Sequence, residues 1–174
     1  ALVLKAGNDK ILYQTYLGSK LINSADYEAV SKENTKKFVI NDGNPLIDLR
    51  HKAYPVFGTD NLFQPALRMT HNNGNPSLEL MYVNHDCQSL DDNIRLTTIE
   101  LKDMVYPVKV KLFYKAYYKE DIIEMWTEIS HNEKKPVALY NYASAALHFD
   151  ADKYWLTQLY SDVVEEARIE ESML

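Results

Sequence analysis

The chain has 174 residues, with 25 acidic and 19 basic side chains, a net charge of −6 and a single cysteine, Cys87. That balance, with no Lys/Arg cluster interleaved with aromatics, excludes the phosphate-neutralising chemistry of nucleic-acid binding. The lone cysteine excludes an intramolecular disulfide and a cysteine-based zinc site, and no apolar run approaches the roughly 20 residues of a membrane-spanning helix.

A length of this order fits one domain. Tyrosine occurs 13 times while Gly and Pro are few, which favours pleated surfaces over helices. In chain order, Asn23 to Lys37 is polar, charged and poor in β-branched residues, so it reads as an insertion or loop with one helical turn. Asp42-Gly43 and Asn73-Gly74 tolerate positive φ where the chain must reverse. From Val108 to Ala116, apolar residues at 108, 110, 112, 114 and 116 alternate with lysines at 109, 111 and 115. A period of two with lysines outward predicts a strand with one solvated face. Ile123, Met125, Thr127 and Ile129 repeat the pattern. The polar turn Asn132 to Pro136 then predicts a hairpin whose second strand carries Val137, Leu139, Ala143, Ala145, Leu147 and Phe149 on one face. The tail Ser161 to Leu174 is rich in glutamate and reads as a short helix or a frayed end. Regularly spaced strands with such turns predict an all-β antiparallel sandwich.

The loop Gly58 to Pro65 holds Asp60 and Asn61 between Phe57 and Phe63, a combination suited to sugars through hydrogen bonds and ring faces. A sandwich corner with its aromatics plugging the core is the competing reading. Asp60, Asn61 and Phe63 are the candidate substrate-rim residues. His148, Asp150 and Asp152 alternate at a predicted strand end, a pattern that more often makes a solvated edge than a metal site. His85, Asp86 and Cys87 offer no base to activate the thiol. Asp91-Asp92 and Glu165-Glu166 are sequence neighbours, which face opposite ways on a strand, so neither is the facing carboxylate pair of a glycosidase. None of these clusters is expected to hold a metal or to supply a facing carboxylate pair.

The stretch Tyr54 to Tyr82 couples Tyr54-Pro55 to Gly58-Thr59, Pro65-Ala66, the Gly74 turn and an apolar strand from Leu78 to Tyr82. Others follow the same order: Leu12 to Leu21, Ile99 to Asp103, Val108 to Tyr114, Ile122 to His131, Tyr142 to Phe149 and Leu159 to Glu166. Together they resemble the N-terminal domain of the glycoside hydrolase family 36 α-galactosidases. The loop departs from that family's Gly-Asp-Phe-Arg, with Asn61, Leu62 and Phe63 where Asp, Phe and Arg would lie.

The resemblance implies part of a supersandwich of the galactose-mutarotase type. On that reading residues 1–174 are a single N-terminal sandwich domain, incomplete as it stands, ahead of a catalytic (β/α)8 barrel that is not in this chain. It implies a parent enzyme that hydrolyses terminal α-galactosides of oligosaccharides with retention, without cofactor or metal. The domain itself would be non-catalytic, and homo-oligomerisation is expected. The alternatives are a stand-alone carbohydrate-binding or structural module, with Trp126 or Trp155 as its aromatic platform, and a mutarotase-like epimerase, which needs a His pair and a Glu in one cleft. The chain begins at Ala1. It is expected to be periplasmic or secreted if a signal peptide has been removed, and cytoplasmic otherwise.

Overall fold

Val108, Val110 and Leu112 are buried while Lys109 and Lys111 are exposed, so residues Val108–Tyr117 form a strand with one covered face, β8. A computed structural model describes residues 1–32, 37–39, 45–48, 50–59, 64–149, 151–161 and 166–174, with 37–39 and 45–48 described as backbone only. In it, β8 lies in a four-stranded antiparallel sheet with β6 (Leu80–Ser89), β7 (Ile94–Asp103) and β9 (Ile122–His131), in the order β6-β7-β8-β9. Four two-stranded ladders accompany it. These pair β1 (Leu2–Ala6) with β2 (Leu12–Leu17), β3 (Lys37–Val39) with β4 (Pro45–Asp48), β5 (Leu67–Thr70) with β10 (Ala138–Tyr142), and β11 (Trp155–Tyr160) with β12 (Arg168–Met173). All of these pairings are antiparallel.

The core lies where one end of the four-stranded sheet meets β5 and the segment 53–56. Ile99, Leu101, Val108, Val110 and Leu112 pack with Tyr54, Val56, Leu67, Met69, Leu78 and Leu80. Leu67, Met69, Val108 and Val110 are fully buried, and truncating Leu67 or Met69 to Ala costs about 2 to 5 kcal/mol. Asp103 closes this end of the sheet. Its carboxylate accepts the amides of Glu79 at 2.7 Å, Val105 at 2.8 Å and Tyr106 at 2.6 Å, so the β7–β8 turn and the entry to β6 are set by one side chain. In the region read as an insertion, Ser24–Val30 forms the helix α1, entered through an Asn23–Asp26 capping box.

Three expectations are corrected. The strand after the 132–136 turn does not return along β9, because β10 pairs with β5. The cause is Glu133, which does not stay in a solvated turn. One carboxylate oxygen lies 2.6 Å from His71 Nδ1 and the other accepts the Asn72 amide at 2.9 Å, just after β5. Residues 143–149 are not a strand either. Other groups hold this segment: the Ala143 amide donates to the Ala66 carbonyl, Tyr54 Oη donates to the Ala143 carbonyl, and Thr127 Oγ1 donates to the Ser144 carbonyl. The Gln14 side chain clasps the His148 backbone through both its carbonyl and its amide. The tail, finally, is neither helical nor frayed over 168–173. Ile169, Glu171 and Met173 alternate with Arg168, Glu170 and Ser172, and β12 pairs in register with β11, Trp155 opposite Met173 and Leu159 opposite Ile169. Asn73-Gly74 makes the expected turn, with Gly74 at φ 86°. Asp42-Gly43 lies outside the described residues.

The His71–Glu133 pair is nearly dry, with side chains 0% and 2% exposed. His71 Nε2 also meets the Ser77 carbonyl at 3.0 Å, and its ring stacks on Tyr106 with centroids 3.5 Å apart. Burial alone would raise the Glu133 pKa. The Asn72 amide and the His71 ring more than offset this and hold it below the ordinary value of 4.5. Because the folded pKa lies below the unfolded one, the contribution is fully present above pH 4.5 and is lost as pH falls through the folded value. Replacing Glu133 by Gln should therefore lower stability at neutral pH by about 1 to 3 kcal/mol and flatten the acid limb of stability against pH. Urea unfolding of both proteins from pH 7 down to pH 3 checks this, and equal acid limbs would refute it.

Candidate functional site

The loop that begins at Gly58 stands on two pinned stems. On the incoming side, Val56 bridges Leu67, Phe57 donates its amide to the Leu67 carbonyl at 3.0 Å, and the Phe57 carbonyl accepts the Leu78 amide at 3.1 Å. On the outgoing side, the Ala66 amide donates to the Pro55 carbonyl at 2.7 Å, and Asn141 Nδ2 donates to the Pro65 carbonyl at 2.8 Å. Both ends of the loop are thus fixed to β5, β10 and the strand-like segment at Leu78. Gly58 carries φ +96°, and a Cβ there would sit 2.5 Å from Ser77 Cα. Only a residue without a side chain allows this close crossing.

The rim candidates Asp60, Asn61 and Phe63 lie outside the described residues. What is described at the base of the loop is polar and aromatic. Phe57 is 37% exposed and Tyr140 is 65% exposed. The Arg68 guanidinium carbon lies 4.8 Å from the Phe57 ring centroid and 5.7 Å from that of Tyr140. Arg68 and Tyr140 escaped the sequence reading because they are 72 positions apart and are joined by the unexpected β5–β10 pairing. The tyrosine-rich composition was the available signal, and it does not say which rings meet.

A second concave region of about 420 Å³ opens over the other end of the four-stranded sheet. Leu2, Leu4 and Ala6 of β1 form one wall, and Tyr82, Ile99, Tyr114 and Ile123 are among the residues of the sheet that face it. Four of its polar members are engaged in two pairs, and Arg95 lies over the Tyr118 ring. Tyr82 Oη meets His85 Nδ1 at 2.7 Å, and Thr97 Oγ1 donates to Cys87 Sγ at 3.6 Å. Burial, with a smaller effect from Tyr54, pushes the Tyr114 phenol up to about 12, so it stays neutral. Among the residues lining this cleft there is no Asp or Glu and one histidine, His85. It therefore lacks both the carboxylate pair of a glycosidase and the His pair and Glu of a mutarotase.

The remaining candidates are dispersed. His148 Nε2 lies 3.1 Å from the Lys52 carbonyl and its ring stacks on His51, while Asp150 lies outside the described residues. No group of three metal-ligating side chains occurs among the described residues. Asp91 caps its own turn by accepting the Asn93 and Ile94 amides, and Glu165 is outside the described residues. Trp126 stacks on Phe113 across β8 and β9 with centroids 4.8 Å apart, and is half-buried. Trp155 is 62% exposed on the β11–β12 hairpin.

With the fold and these sites in hand, comparisons place the chain among known proteins. The profile described as the glycosyl hydrolase family 36 N-terminal domain matches residues 10–174. No curated protein sequence matches the chain significantly. Among solved structures, the galactosidase domain of the α-galactosidase–sucrose kinase AgaSK is similar with a TM-score of 0.80 at 19% identity, over 99% of this chain and 26% of that one. The α-galactosidase from Lactobacillus brevis gives 0.79 at 17% identity, over 99% and 26%. A variant of α-galactosidase AgaA from Geobacillus stearothermophilus, in complex with raffinose, gives 0.80 at 19% identity, over 99% and 26%. At such identities the likeness is one of fold. The chain spans about a quarter of the length of each of these relatives.

Substituting Gly58 by Ala should cost about 1 to 3 kcal/mol for the left-handed backbone alone, with the contact on Ser77 adding to it. Urea denaturation of the variant checks this, and unchanged stability would show that the crossing relaxes freely.

Proposed function

This chain belongs to the glycosyl hydrolase family 36 N-terminal domain family, and from that premise we propose that it is the non-catalytic leading domain of a retaining α-galactosidase acting on terminal α-galactosides of oligosaccharides. The observation that carries the proposal is the family match over 10–174. The solved relatives support it, since they are α-galactosidases and two of the AgaA variants were crystallised with raffinose and stachyose. On this reading residues 1–174 form one sandwich domain, and the nucleophile and acid/base lie in a barrel outside them.

Asp60, Asn61 and Phe63 are the residues through which the domain would approach substrate, presented by a loop whose two stems are pinned. The complete protein is expected to release galactose from raffinose with net retention, and residues 1–174 alone are expected to release none. Product anomers followed by NMR would check both statements. Hydrolysis by the isolated chain would overturn the assignment of catalysis elsewhere. A folded Phe63→Ala variant of the complete protein with a selectively raised KM would support direct contact by the loop, whereas lower stability at constant KM would leave Phe63 as packing.

We also infer that the parent is a homo-oligomer and that this chain self-associates, most simply as a two-fold dimer. The support is apolar surface: Trp155, Leu159, Ile169 and Met173 share one face of the β11–β12 hairpin and are 60 to 71% exposed. A two-stranded ladder is marginal in water unless another surface covers it. Light scattering across a dilution series should show a dimer dissociating, and a monomer at all concentrations would refute the inference.

A further inference from the structure

The β5–β10 ladder is irregular at one place. Leu139 is opposite Met69 and Asn141 is opposite Arg68, so Tyr140 is the extra residue of a bulge. Bulges re-aim the side chains around them and concentrate next to binding and active sites. This one does two things at once. It brings the Tyr140 ring to the Arg68 guanidinium at 5.7 Å, and it places the next residue, Asn141, where its side-chain Nδ2 donates to the Pro65 carbonyl at 2.8 Å. Since the same guanidinium lies 4.8 Å over Phe57, one bulge ties together β5, β10 and both stems of the loop that starts at Gly58.

From this arrangement we propose that Phe57, Arg68 and Tyr140 form a saccharide platform that holds the sugar units of an α-galactoside beyond its terminal galactose. The choice of ligand rests on the function proposed above. The cluster is a surface feature, since all three side chains are exposed or partly so. The two rings orient the guanidinium, and no carboxylate among the described residues takes its N–H groups. A planar fork held this way presents parallel donors suited to a pair of neighbouring sugar hydroxyls, while an exposed ring face takes the C–H face of a pyranose. The charge argues for a neutral ligand. One cation beside two uncharged rings, in a chain of net charge −6, makes a poor anion site, whereas a neutral sugar meets no long-range repulsion.

The test uses the complete protein with Arg68→Gln, Arg68→Lys and Tyr140→Ala, each confirmed as folded by its thermal transition. Stachyose extends beyond its terminal galactose and a nitrophenyl α-galactoside does not carry the further sugars. Each substitution should therefore lower the ratio of kcat/KM for stachyose to that for the nitrophenyl substrate by about tenfold, the size of one lost stacking or charge-assisted contact. Lysine should not rescue, because it keeps the charge and loses the planar fork. An unchanged ratio, or full rescue by lysine, overturns the proposal. If the wild-type protein hydrolyses neither substrate, the function proposed above fails on its own account. Saturation-transfer NMR with stachyose then decides the platform without turnover: transfer that is lost in Tyr140→Ala supports it, and no transfer in the wild type overturns it. Displacement of stachyose by inorganic phosphate would also overturn it, by showing an anion site.

Discussion

The connection from β9 to β10 depends on one buried contact, between Glu133 and His71. β9 ends at His131 and is followed by a short polar turn, and by local rules such a turn folds the chain straight back along the strand it has just left. Here the Glu133 carboxylate is drawn to the turn after β5, where it meets the Asn72 amide and His71, whose ring is backed by Tyr106. Taking a carboxylate out of water without a partner costs several kcal/mol, and a buried pair adds little net stability over an apolar pair of the same shape. The weight of the contact is therefore in which connection it permits. A chain that returned along β9 would leave His71 facing an empty acceptor position, and the chain that crosses to β5 satisfies both groups.

Much of what lies downstream follows from that crossing. β10 becomes the partner of β5, so its bulge falls beside the outgoing stem of the loop, and Asn141 can reach Pro65. The segment 143–149 then runs over the layer without a ladder of its own, and its backbone groups are met by Ala66, Tyr54, Thr127 and Gln14. These are contacts of high sequence separation, such as the 134 positions between Gln14 and His148. They form only when both layers are in place.

Among the described residues, buried acidic groups are consumed in structure: Asp103 closes a turn with three backbone amides, and Glu133 holds the crossing. The cleft over the far end of the sheet is mostly apolar, and its Tyr82–His85 and Thr97–Cys87 groups pair with each other. Among the described residues, Phe57, Arg68 and Tyr140 at the base of the loop from Gly58 are exposed.

The sequence by itself determined the strands whose apolar residues alternate cleanly. β8 was legible because lysines alternate with core residues at a period of two, β9 because glutamates alternate with apolar residues at the same period, and the Asn73-Gly74 turn because its residues tolerate positive φ. The loop from Gly58 was also located, since a glycine between aromatics and a Pro-Ala corner are local signals. Only the tertiary structure decided which strands pair. The 132–136 turn carries a perfectly good hairpin pattern, and what overrides it is a partner 62 positions away. The tail showed glutamates that suit a helix, yet its alternation pairs with β11 once Trp155 and Met173 can face each other. The Arg68, Phe57 and Tyr140 cluster was illegible for the same reason. Periodicity records which face of an element is apolar, while the choice of neighbour is made by polar groups that find their partners only when distant segments meet.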